Sequence, residues 1–169
     1  MQNCVFLLNA GHETTTNLIG NALWLLLNRP EAAERLRAEP ALAASAVEEC
    51  LRVESPNQLG NRLVTQRTSI GNVWFEPGTY LTLCIGAANR DPQEFPDAGR
   101  FDIARKPNRH LAFAAGAHAC AGMNVARLEA QVAIVRTLQQ LPRLRLTAAP
   151  LRGSRARFRG FVSLLAEVY

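Results

Sequence analysis

Phe113-Ala114-Ala115-Gly116-Ala117-His118-Ala119-Cys120-Ala121-Gly122 is the stretch that decides how this sequence is read. It sets one cysteine between two glycines, immediately before a run with the apolar spacing of a helix. The first N–H groups of such a helix lack internal partners, and together with the helix dipole they favour an anion. A cysteine there is favoured as its thiolate. The glycines let the backbone turn tightly and come close to a flat ligand. A lone thiolate with no second ligand nearby cannot close a zinc site, but it suits the one protein ligand of a haem iron. The plainer alternative is a small buried cysteine in a turn, the usual fate of a single cysteine.

Around this stretch the chain has an ordinary globular balance. Of its 169 residues, 48% are hydrophobic and 20% charged, which excludes disorder as the default. No apolar run approaches the ~20 residues of a membrane span; the longest near the start are Cys4–Leu8 and Leu23–Leu27. No leader pattern is readable at the amino terminus. Cys4, Cys50, Cys84 and Cys120 form no C-x-x-C pair, which argues against a disulfide framework and for a reducing, cytoplasmic compartment. The net charge is +5, and every basic residue except Lys106 is arginine. Arg143, Arg145, Arg152, Arg155, Arg157 and Arg159 follow one another with no acid between them. That run is either a surface for an acidic partner or a solvated hairpin face. No nucleic-acid fold signature accompanies it, so no nucleic-acid partner is expected.

The pattern predicts a helix over residues 1–29, hydrophobic on nearly every side and therefore buried in a larger protein. It begins without a cap, as a helix cut within its length would. Pro30 and Glu31 open a second helix to about Ala38, and a third runs over 41–54, stopping before Ser55-Pro56. From Arg62 to Ile85 alternation and the breaks at Gly71-Asn72 and Pro77-Gly78 predict short antiparallel strands. Residues 90–112 carry proline and charge with no sustained period, a loop long enough to be functional or pinned. A helix follows over 123–141, with Val125, Leu128, Val132, Val135 and Leu138 on one face. Residues 143–169 read as strands around a turn near Gly153-Ser154. The expected class is mainly α with small antiparallel β-sheets, an α+β arrangement.

Two further constellations carry chemistry. Glu49 and Arg52 stand at i, i+3 on the third helix and can pair, as many solvated helix pairs do. Ala10-Gly11-His12-Glu13-Thr14 puts an acid beside a hydroxyl in an apolar helix, a costly arrangement unless it serves something. Its plain reading is a threonine bonded back to its own helix and Glu13 paired with an arginine not evident from the sequence.

The pattern F-x-x-G-x-H-x-C-x-G over Phe113–Gly122 resembles the haem-binding loop of the cytochrome P450 family, with Ala114 in place of the usual glycine. The Glu49–Arg52 pair resembles that family's E-x-x-R helix. Ala88-Asn89-Arg90-Asp91-Pro92 through Phe95 and Arg100-Phe101-Asp102 resembles its meander, and Gly11–Thr14 its oxygen-activation motif. The likeness is closest to soluble bacterial members and covers essentially the whole chain. It implies the carboxy-terminal part of a single P450 domain, less than half of a typical member, truncated within the distal helix.

The resemblance assigns roles residue by residue. It implies haem b, with Cys120 as axial thiolate and metal ligand, His118 and Arg62 on the propionates, and Phe113, Gly116 and Gly122 shaping the loop. Gly11 leaves room for dioxygen, while Glu13 and Thr14 deliver protons. Glu49, Arg52 and Arg100 form a structural triad. Leu59-Gly60-Asn61 and Phe161-Val162 match the substrate-lining stretches. The implied activity is a monooxygenase that takes electrons from a ferredoxin or reductase and oxidises a small apolar organic substrate. The alternative is a non-catalytic truncated remnant that binds haem weakly or not at all.

Overall fold

A computed structural model describes residues 2–169. Helix α1 (Gln2–Leu27) leads into α2 (Pro30–Ala38), a 3-10 turn (Pro40–Leu42) and α3 (Ala43–Val53). Four strands follow, β1 (Leu59–Leu63), β2 (Thr68–Ile70), β3 (Val73–Phe75) and β4 (Tyr80–Cys84), then the short helix α4 (Ile85–Ala88). After the long loop and a second 3-10 turn (Gly116–His118) come α5 (Met123–Gln140) and strands β5 (Leu144–Leu146), β6 (Leu151–Arg152), β7 (Phe161–Ser163) and β8 (Ala166–Val168).

Local signals set most of these boundaries. Pro30 takes the first position of α2, where its missing N–H is not needed, with Glu31 in the first turn and Arg35 and Arg37 in the last. α3 stops at Val53, ahead of the Ser55-Pro56 pair. The strands pair antiparallel in four two-stranded sheets, β1 with β4, β2 with β3, β5 with β8 and β6 with β7. Ile70 faces Val73 across a two-residue turn, where Gly71 adopts a φ of +58° that suits a hairpin. Ile85, predicted as the end of a strand, instead opens α4 and is buried.

The core lies where α1, α3 and α5 meet, with α2 against its edge. Leu18, Ala22, Leu25 and Leu26 of α1 pack with Val47, Cys50 and Leu51 of α3 and with Ala130, Ile134 and Leu138 of α5. Each large apolar side chain removed from water there contributes roughly 1.5–3 kcal/mol. Within this chain α1 packs through its second half, while Phe6 is 70% and Leu8 75% exposed. One expectation about the helices is corrected. On α5 the buried stripe runs through Ala130, Ile134 and Leu138, whereas Val125, Leu128 and Val132 are exposed. Apolar residues surround most of that helix, so periodicity alone does not select a face. The small Ala130 marks the side on which another helix can approach.

The loop between α4 and the second 3-10 turn is tied down by α3. Arg52 binds Glu49 through two bonds of 2.8 Å, and both side chains are wholly buried. The same guanidinium donates to the carbonyls of Asn89, Ala98 and Arg100, so five donors meet acceptors. The third member of the group is Arg105 and not Arg100: Arg105 Nε lies 3.2 Å from Glu49 Oε1. Arg100 contributes its carbonyl oxygen, which also accepts from Arg105. Asp102 N–H and Asn108 Nδ2 complete the carboxylate's shell. A buried ion pair is tolerated only when its lone pairs and protons are satisfied, and here they are.

Candidate functional site

A cavity of about 1550 Å³ opens between the first half of α1 and the loop that leads into α5. Gly11, Glu13 and Thr14 line it from α1; Phe113, His118, Cys120 and Gly122 line it from the opposite side. Pro56 and Asn57, which follow α3, and Phe158 of the β6–β7 loop form a third wall. Residues more than a hundred positions apart are thereby brought to one space.

The cysteine loop owes its shape to its own backbone. Ala114 N–H donates to Leu111 O at 2.8 Å, and Cys120 N–H donates back to Phe113 O at 2.9 Å. Closing that turn puts Ala114 at φ +58° and Gly116 at φ +71°, both in the left-handed region. The family's usual glycine at position 114 suits that conformation, and alanine holds it under strain. Cys120 is half-buried, and no side chain caps the start of α5 behind it.

Behind the loop stands a second charged group. Arg127 of α5 makes two 2.8 Å bonds to Glu48 of α3 and lies 4.7 Å from the centre of the Phe113 ring. His110 Nε2 meets the other side of Glu48 at 3.1 Å. Burial alone pushes the Glu48 carboxyl up, but the bonds and charges of His110 and Arg127 outweigh it and hold it down to about 2. The hydrogen bonds that Arg127 donates to Glu48, and to a lesser degree attraction to Cys120, reinforce the charge on Arg127.

On the facing helix Thr14 Oγ1 donates to Ala10 O at 2.9 Å, and Glu13 pairs with Arg155 of the β6–β7 loop. Both plain readings of that motif thus describe the side chains as they stand. Not every expected residue reaches the cavity. Arg62 bonds its neighbouring Asn61 O and lies outside the wall, as does Gly116. Of the expected substrate-lining stretches, Leu59-Gly60-Asn61 and Phe161-Val162 are displaced by Pro56-Asn57 and Phe158. The arginine run is largely solvated, as one of its two readings has it, and four of its members also pair with acids: Arg152 and Arg159 with Glu54, Arg155 with Glu13 and Arg145 with Glu167.

Sequence reading missed Arg155, Phe158 and the Glu48–His110–Arg127 group. Only Phe158 had a local signal, as the one aromatic side chain amid closely spaced arginines.

These residues fit a flat, iron-bearing macrocycle. A side-chain carbon added at Gly11 or Gly122 meets nothing within 4 Å, so both positions leave open space on the two faces of the cavity. Among the described residues no three His, Cys, Asp or Glu side chains cluster as a metal site. An iron held at Cys120 would need its other ligands from a macrocycle.

The family model for cytochrome P450 matches residues 1–147. This chain belongs to the cytochrome P450 family. Members of that family bind haem b. A biotin biosynthesis cytochrome P450 of Bacillus subtilis is 48% identical over 158 residues, covering 90% of this chain and 40% of that relative. Cytochrome P450 107B1 of Saccharopolyspora erythraea is 46% identical over 145 residues, 85% of this chain and 36% of its own length. The chain thus spans about two-fifths of the length of these P450 relatives.

Solved P450 structures share the fold. P450BioI in complex with hexadec-9Z-enoic acid ligated acyl carrier protein superposes with a TM-score of 0.96 at 44% identity, covering 98% of this chain and 44% of that one. CYP109E1 from Bacillus megaterium in complex with corticosterone gives 0.94 at 34% identity, over 97% and 45% of the two chains. The helices with small antiparallel sheets seen here match the P450 fold and are consistent with its carboxy-terminal portion. No helix among the described residues is long and apolar enough to cross a membrane.

Proposed function

We propose that this chain forms the haem-thiolate part of a monooxygenase that oxidises a small apolar organic substrate. What supports the reading is one juxtaposition: Cys120 and the Glu13–Thr14 pair line the same cavity from opposite elements. Haem, when bound, supplies the redox chemistry that activates dioxygen.

The chain's own residues bind and prepare. Cys120 donates its sulfur to the iron, and the N–H bond to Phe113 O keeps it in place. His118, exposed on the cavity rim, is placed to bond a propionate. Arg62 of β1 is the other residue that this reading gives to the propionates. Glu13 presents its carboxylate at the cavity, held there by Arg155, as a group through which a proton can be relayed. Thr14 passes a proton by exchanging its Ala10 acceptor for a partner inside the cavity. Phe6, Leu8, Leu18 and Phe158 give the chamber apolar walls. The fatty-acyl and steroid ligands of the two solved relatives agree with an apolar organic substrate. Electrons come from a ferredoxin or reductase. The four unpaired cysteines accord with a cytoplasmic, reducing location.

The alternative reading is a non-catalytic remnant that binds haem weakly or not at all. The carbon monoxide difference spectrum of the haem-loaded, reduced protein separates the two. A strongly red-shifted Soret band, lost in Cys120→Ser, is expected. Haem bound without that band, or equally in both proteins, rejects the monooxygenase.

A further inference from the structure

The acid that follows the E-x-x-R helix has no role in the chemistry above, yet among the described residues it pairs with more arginines than any other carboxylate. Glu54 is buried, its side chain 4% exposed, at the end of α3. Its Oε2 lies 2.8 Å from Arg159 Nε and 3.2 Å from Arg152 Nη1, and its Oε1 lies 3.6 Å from Arg90 Nη2. Three arginines from two distant segments converge on one carboxylate.

Two of them bracket the β6–β7 loop. Between Arg152 and Arg159 the chain runs along residues 56–58: Arg159 N–H donates to Pro56 O, and Gln58 N–H donates to Arg157 O, both at 2.8 Å. Phe158 stands between those two bonds, opposite Asn57, and lines the cavity. Around it the fit is close. Asn21 Nδ2 of α1 donates to both Glu54 O and Arg159 O. A side-chain carbon at Gly160 would fall 2.0 Å from Asn17 Oδ1, so the loop lies close against α1 and a larger residue there would have to push the Asn17 side chain aside. Arg152 also stacks on Trp24 and Phe161.

We propose that Glu54 is a positioning residue of the cavity: by gathering Arg152 and Arg159 it seats the 153–160 loop and fixes Phe158 as a wall facing the substrate. The two backbone bonds are few for an eight-residue span, and a loop held so sparsely opens locally at low cost unless something else anchors it. The buried carboxylate supplies the anchor. Removing it leaves three guanidiniums facing one another, which drives the loop outward. The proposal rests on the cavity being the haem and substrate chamber, but its structural half is measurable without haem.

Glu54→Gln and Arg159→Leu are compared with the parent protein by amide hydrogen exchange, and Phe158→Ala serves as the cavity-only control. The expected result is exchange about tenfold faster at Gln58 and Arg159 in both clasp variants, with α2 and α5 unchanged. On the haem-loaded protein, Glu54→Gln and Phe158→Ala should shift phenylimidazole affinity in the same direction and leave affinity for imidazole unchanged. Parental exchange at Gln58 and Arg159 in both clasp variants overturns the proposal. Uniformly faster exchange through α1, α2 and α5 in both overturns it as well, because Glu54 then serves the fold at large. A parent protein without the red-shifted carbon monoxide band rejects the haem-thiolate reading instead, and the exchange result still decides whether Glu54 seats the loop.

Discussion

Arg105 reaches back to Glu49 with its Nε 3.2 Å from Oε1, while Arg100 supplies that group with a backbone carbonyl alone. The distinction predicts unequal substitutions. Arg105→Ala removes a guanidinium only 11% exposed and leaves Glu49 with less compensation, so a loss of about 2–3 kcal/mol is expected. Arg100→Ala keeps the carbonyl and should cost less than about 0.5 kcal/mol. Denaturant unfolding of the two variants makes the comparison, and equal losses would refute the assignment.

Ala114 occupies a left-handed conformation in the cysteine loop. The strain of an alanine there is roughly 1–2 kcal/mol, and glycine's extra freedom in the unfolded chain takes back about 0.4–1. Ala114→Gly should therefore raise stability by up to about 1 kcal/mol. A lower melting midpoint in that variant would count against the loop geometry.

Glu48 gives the fold a defined acid sensitivity. Its carboxyl is held at about 2 in the folded chain against an ordinary value of 4.5, so its contribution is present above 4.5. That contribution fades as pH falls from about 4.5 towards about 2, because the unfolded state takes up the proton first. The stability gap between the parent and Glu48→Gln should be largest near neutrality and shrink over that acid window. A gap that widens with acid would contradict the sign. The pair with Arg127 is partly exposed, so added salt should narrow the gap.

The four cysteines should separate by reagent access. Burial, helped by the neighbouring Glu49 charge and opposed by Arg29, pushes the Cys50 thiol far up. It should resist alkylation until the protein unfolds. Cys4 and Cys84 are exposed and should label at once. Haem added before the reagent should protect Cys120 and not Cys84, as peptide mass mapping can read. Equal labelling of Cys120 with and without haem would exclude it as the ligand.

The residues that were legible beforehand are those whose signals are local. Pro30, Ser55-Pro56 and the glycine–asparagine turn act through their own backbone angles, so they mark ends of elements wherever the rest of the chain goes. The cysteine loop belongs with them, because a cysteine between glycines ahead of a helix carries its chemistry in consecutive residues. Even its departure from the family pattern, Ala114, was visible as a substitution, although the strain it bears was not.

What the sequence by itself determined, then, is the class of the fold and the order of its main elements. The tertiary structure alone decided which face of α5 is buried, which arginine closes on Glu49 and which aromatic side chain walls the cavity. Val125 and Ile134 look equally apolar in the chain, and only the approach of α1 and α3 distinguishes them. Arg100 and Arg105 sit in one aperiodic loop, where the path of the backbone sets which guanidinium arrives. Glu13 meets Arg155, and Glu54 meets Arg159, across most of the chain. Such pairs leave no periodic trace, because charge attraction acts through space and is indifferent to separation along the sequence.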